Sequence, residues 1–319
     1  MSRTHSLVLL SILLCSIVSG TAGAVQRAHV STSGLDSNTA FNCDVARPCR
    51  FFQAASTVVD SNGEVVVLDS GGFGTVTLTK SISLIVPTGV HAGISVFPGS
   101  DGVTIATPGI NVVLRGLTIN GLGGNNGISM TAGTSLSVED CVISNFAGSG
   151  NIGIFVNTAA KVKIIDTLLR DSDLGIQLQG GAVATIARSR LVGIASFGIF
   201  VFGITAGTTT AAISDTNVSG ISKLVQDRYG ILASAGSGNV RASVIRSIVS
   251  NFNVGVASVG PSGSPTSTAL LTLGESTVTE NSYGLYRSGP TATFESMGNN
   301  MVRLNLANTL GTITPAAPL

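Results

Sequence analysis

The densest group of chemically able side chains is acidic. Asp166, Asp171 and Asp173 lie close together, with Lys161, Lys163 and Arg170 among them and Arg190 one repeat further on. Ca²⁺ is a hard cation that takes several oxygen ligands, so Asp171 and Asp173 would have to converge at one corner to hold it. The same aspartates also read as solvated corners, because no further acid stands at the matching place one repeat later. Histidine chemistry is thin. His5 lies in a leader segment and His29 and His91 are far apart, so a His-based hydrolytic dyad is not expected, and no His/Cys cluster has zinc spacing. Aromatic binding chemistry must come from twelve Phe and from Tyr229, Tyr283 and Tyr286, because the chain has no Trp.

What positions these groups is a repeat. A Gly followed by an aliphatic residue recurs at Gly127-Ile128, Gly153-Ile154, Gly175-Ile176, Gly198-Ile199, Gly230-Ile231, Gly255-Val256 and Gly284-Leu285. Upstream runs a second motif, a charged residue followed by Ser, Thr or Cys: Asp140-Cys141, Asp166-Thr167, Arg188-Ser189, Asp215-Thr216, Arg246-Ser247 and Glu275-Ser276. Gly116-Leu117 begins a shorter relative of it. Aliphatic residues at alternate positions before each charge describe strands with one buried face. Three short strands per repeat, divided by Gly, Asn or Asp corners, give parallel sheets wound into a right-handed β-solenoid of about 10–11 coils.

Alternation counted from the Gly-aliphatic pair puts Ser129, Phe155, Gln177, Phe200, Leu232, Ala257 and Tyr286 in one outward column, with Phe202 the next outward residue. Phe155, Gln177, Phe200, Phe202 and Tyr286 are therefore the ligand-face candidates. The competing reading is that a corner loop covers them. Two insertions are long enough, Gly220–Tyr229 and Gly260–Ser267.

The segments "VEDCVISNF" and "VIRSIVSNFNVGVAS", with the opening "HVSTSGLDSNTAFNCDVARPCRFFQAAS", resemble exported right-handed parallel β-helix proteins of the pectin-lyase-like superfamily. The resemblance implies an all-β solenoid whose N-terminal end is closed by a short helix. Residues 48–59 would form it, with Pro48 near the first turn and Phe51, Phe52, Ala55, Val58 and Val59 covering the core. It also implies polysaccharide as substrate or partner, and for its lyases a Ca²⁺ held by acids beside a basic residue. Asp171, Asp173 and Arg190 are the acid/base or Ca²⁺ candidates on that reading. The Trp-Ile-Asp-His-like and paired-Arg segments of such lyases are missing, as are the Asn-Thr-Asp and Gly-His-Gly segments of hydrolases on this fold. A non-catalytic module that binds polysaccharide or a surface partner, or serves structurally, is therefore favoured. A Ca²⁺-dependent lyase with a divergent site is the alternative; no cofactor or tight metal site is expected, Ca²⁺ being the one candidate on that alternative.

Residues 1–24 read as a signal peptide cleaved after Ala24, with Leu7–Val18 apolar and Ala22-Gly23-Ala24 fitting the cleavage pattern. The product would be secreted, periplasmic or extracellular. Cys43 and Cys49 flank a short loop and are expected to form a disulfide in that compartment, against the alternative of two free thiols. Cys141 sits in the repeat as a buried thiol. The expected division is a cap over 25–62, a β-helix over 63–310 and a frayed tail over 311–319. Only 10% of residues are charged, and loss of Arg3 with the leader leaves basic and acidic residues equal. That balance points away from nucleic acid, and no later apolar stretch is long enough to insert in a membrane. A monomer is expected.

Overall fold

A computed structural model describes residues 25–261 and 266–316. The proposed signal peptide lies outside the described residues, as do 262–265 of the second insertion and 317–319 of the tail. The described chain winds into a right-handed parallel β-solenoid with three sheets, one of twelve strands and two of ten. Ten stacked strands correspond to about nine complete turns. One coil runs Ser135–Glu139 in the first sheet, Val142–Ser144 in the second and Ile152–Asn157 in the third. Each strand pairs in parallel with its counterparts one coil before and after, as Leu136 does with Val112 and Val162.

The core is the stack of inward aliphatics from all three sheets, with Phe146, Phe252 and Phe294 filling wider places, all three fully buried. The corner between the first and second sheets explains the charged motif. Asp140, Asp166, Arg188, Asp215, Arg246 and Glu275 all adopt left-handed backbone, with φ between 46° and 53°. Gly116 holds the equivalent place at φ 76°. The following Ser, Thr or Cys points inward, and its hydroxyl or thiol donates to the carbonyl two residues back, as in Ser247 Oγ to Ile245 at 2.9 Å. The same oxygen accepts the backbone N–H of the preceding coil: Thr167 N to Ser189 Oγ at 3.3 Å, and Thr216 N to Ser247 Oγ at 3.2 Å. A buried hydroxyl ladder thus satisfies the corner amides that strand pairing leaves over.

The charges outside that ladder pair along the column. Arg188 donates to both oxygens of Asp166 at 2.9 and 2.7 Å, and Arg246 to both oxygens of Asp215 at 2.8 and 2.9 Å. Cys141 is buried at 1% exposure and free, and burial pushes its thiol pKa up to about 12.

At the N-terminal end the cap helix spans Phe52–Val58, shorter than the expected 48–59. Pro48 stays outside it, its carbonyl accepting Leu35 N–H and Asn38 Nδ2. Phe52, Ala55 and Val59 are buried against the core, whereas Phe51 is exposed beneath the Arg50 guanidinium, 4.7 Å away. Cys43 and Cys49 form a disulfide with Cα atoms 5.0 Å apart. The solenoid reaches further at both ends than the sequence suggests. Arg27–Val30 is already a strand of the first sheet, and Thr314–Pro315 adds a last one beside Glu295 and Ser296. Among the described residues no helix is long and apolar enough to cross a membrane.

Candidate functional site

The third sheet departs from simple alternation, and the departure builds the site. Gly175 and Ile176 both turn inward. A Cβ added at Gly175 would lie 2.5 Å from the Gly198 carbonyl oxygen and 2.6 Å from Leu191 Cδ2, so the first inward position admits only Gly. With two successive residues inside, the residues on both flanks face out. Each coil therefore presents two outward side chains three positions apart.

One outward column is the expected one. Ser129, Phe155, Gln177, Phe200, Leu232, Ala257, Tyr286 and Leu310 stand in register from coil to coil. The second column runs Leu174, Phe197, Tyr229, Val254, Tyr283 and Ala307. Phe197 joins the two, stacked on Phe200 at 5.0 Å and on Tyr229 at 5.7 Å, while Phe202 continues the stack beyond Phe200 at 5.0 Å. The buried Leu232, Val254 and Ala257 form a small apolar cluster against which Phe200, Tyr229, Tyr283 and Tyr286 pack.

Between Tyr229 and the Tyr283/Tyr286 pair lies the coil carrying Val254 and Ala257. Small side chains there make a trough two coil spacings across, about 10 Å. The resulting open groove has a volume of about 490 Å³, and Leu224, Gln226, Asn253, Ser282, Leu306 and Leu310 complete its walls. All three tyrosines of the chain line it.

The first insertion walls the groove. Arg228 reaches back to the buried Asp173, with Nη1 3.5 Å from Oδ1, and also contacts the Ser196 hydroxyl. Forward, Lys223 Nζ pairs with Glu280 Oε2 at 3.0 Å and the Lys223 carbonyl accepts the Ser282 hydroxyl at 2.6 Å. The loop thus lies along several coils and holds Leu224 and Asp227 at the groove. Its Leu224 is 77% exposed. Burial, then the Asp227 carboxylate and Tyr286, raise the Tyr229 phenol above its ordinary pKa.

The acidic candidates do not assemble. Asp171 sits at the corner between the second and third sheets in left-handed backbone, φ 55°, exposed and paired with Arg170 at 2.8 Å. Asp173 points the other way, buried, accepting Gly150 N–H at 2.6 Å and the Ser196 hydroxyl besides Arg228. Arg190 lies on the second sheet between Leu168 and Asn217. No group of three or more His, Cys, Asp or Glu suited to a metal ion occurs among the described residues.

Of the ligand-face candidates, Tyr286 lines the groove, Phe200 and Phe202 flank it, and Gln177 and Phe155 lie one and two coils before Phe200. Alternation alone misses Tyr229 and Tyr283, which it turns inward. The available signal is an aromatic immediately before the Gly-aliphatic pair, in Phe197-Gly198, Tyr229-Gly230 and Tyr283-Gly284.

Residues 92–269, more than half the chain, match the family described as right handed beta helix region. A crystal structure of pectate lyase Pel9A shares the fold with a TM-score of 0.62 at 14% identity, covering 88% of this chain and 79% of that one. At that identity the likeness concerns the fold alone. No curated protein matches in sequence.

Proposed function

From the premise that the chain belongs to the right handed β-helix family, we propose that it is an exported, non-catalytic module that binds polysaccharide in the groove of its third sheet. The observation that carries this reading is the convergence of Tyr229, Tyr283 and Tyr286 on one trough. The apolar C–H faces of a pyranose stack on aromatic rings, while its hydroxyls need nearby amides and hydroxyls, here Gln226, Asn253 and Ser282. The reading without catalysis rests on the lining's composition among the described residues. Asp227 is its one carboxylate and no Arg, Lys or His is part of it, so neither the two acids of glycoside hydrolysis nor the acids and basic residue of a Ca²⁺-dependent lyase meet there. The Cys43–Cys49 disulfide fits an oxidising, extracytoplasmic compartment.

Incubating the purified protein with pectins, alginate and glycosaminoglycans, with and without Ca²⁺, tests the proposal against the lyase alternative. The expected result is no unsaturated product from any of these acidic polysaccharides, together with retention of the protein on an uncharged one such as xylan or mannan. Accumulation of ultraviolet-absorbing unsaturated ends, dependent on Ca²⁺, would replace this reading with the lyase one.

A further inference from the structure

The charges around the groove narrow the class of saccharide. A polyuronate carries a carboxylate on every sugar and needs cations along its path, supplied by Arg, Lys or a metal. Among the described residues the groove lining contains no Arg, Lys or His and one acid, the exposed Asp227. The basic residues bordering it are committed elsewhere: Arg228 to Asp173, Lys223 to Glu280, and Arg287 Nε to the Ala292 carbonyl at 2.9 Å. The three phenols and neighbouring amides offer ring faces and hydrogen bonds without net positive charge.

We infer that the groove takes an uncharged glycan and excludes polyuronates. The inference rests on the groove being the saccharide site. Stacking and neutral hydrogen bonds are little affected by salt, whereas attraction to a polyanion is screened. Asp227 is then a specificity residue that repels acidic sugars from the trough between Tyr229 and Tyr283.

Calorimetric titration with cellohexaose, xylohexaose, mannohexaose, hexagalacturonate and a mannuronate hexamer separates the outcomes. Binding of at least one neutral hexamer is expected, unchanged between low salt and about 0.5 M salt and weakened at least about tenfold by Tyr283→Ala or Tyr286→Ala. The loop variant Asp227→Arg should create measurable, salt-sensitive binding of hexagalacturonate. Tyrosine-dependent binding of uronate hexamers alone would overturn the inference and leave the saccharide-groove reading standing. Failure of every hexamer to bind, or binding untouched by both tyrosine variants, would overturn the groove reading and the inference with it.

Discussion

Ser247→Ala isolates one rung of the hydroxyl ladder. Ser247 is 1% exposed, its Oγ donates to the Ile245 carbonyl at 2.9 Å, and it accepts the Thr216 N–H of the preceding coil at 3.2 Å. Alanine leaves that N–H buried without a partner, and such an orphaned donor costs about 1–3 kcal/mol. The side chain is small, so the cavity adds little, and a total near 2 kcal/mol follows. For a domain of this size, with an unfolding entropy of about 2.1 cal/mol/K per residue, that lowers Tm by about 3–4 °C. Ser250→Ala is the control: Ser250 is an outward residue of the second sheet, where such a change stays within about 0.5 kcal/mol. Ser247→Thr should recover most of the loss, since Thr167 and Thr216 fill the same column elsewhere. Thermal melts of the four proteins by circular dichroism decide the matter. If Ser247→Ala melts with Ser250→Ala, the ladder does not hold the coils together and the corner argument fails.

Arg188→Asp should melt below Arg188→Ala, because it places a third like charge between Asp166 and Asp215, and added salt should narrow the gap. Hydrogen bonds from Arg188 and Arg246 hold the carboxyls of Asp166 and Asp215 below their ordinary pKa. A carboxylate depressed in the folded state contributes stability above about pH 4 and loses it as pH falls through the folded value. Tm should accordingly drop on acidification, with a shallower drop in an Arg188→Ala/Arg246→Ala variant. Cys141 should resist thiol reagents in the native protein and, once cleavage after Ala24 has removed Cys15, yield one reactive thiol per chain on unfolding; rapid native labelling would contradict its burial. Millimolar Ca²⁺ should move Tm by less than about 1 °C; a clear rise abolished by Asp171→Ala would restore the Ca²⁺ reading.

The solenoid was legible because its signals are covalent and periodic: the Gly-aliphatic pairs and the charge-hydroxyl corners recur once per coil, and each coil repeats the physics of its neighbours. The outward column from Phe155 to Tyr286 was readable for the same reason. Three things were not. The left-handed backbone at Asp166 or Arg188 leaves no mark in a single corner, since only Gly116 in the same column hints at positive φ. Tyr229 and Tyr283 were hidden because alternation assumes one inward residue at a time, whereas Gly230 and Gly284 permit two. The insertion around Leu224 was recognisable by length, but its course depends on Arg228 meeting Asp173 and on Lys223 meeting Glu280, contacts spanning more than one coil. The same meeting takes Asp173 away from Asp171 and dissolves the acidic cluster seen in the sequence.

The chain lacks Trp, and all three of its tyrosines line the proposed groove, so its intrinsic tyrosine fluorescence reports on that groove and little else. Titrating the neutral hexamer that binds best, while recording tyrosine emission and heat on the same sample, is the most direct test of the groove as the saccharide site. A saturable emission change with the same Kd as the heat signal, lost in Tyr283→Ala/Tyr286→Ala, is the expected result. Calorimetric binding that leaves tyrosine emission unchanged would place the saccharide elsewhere on the rod and contradict the assignment.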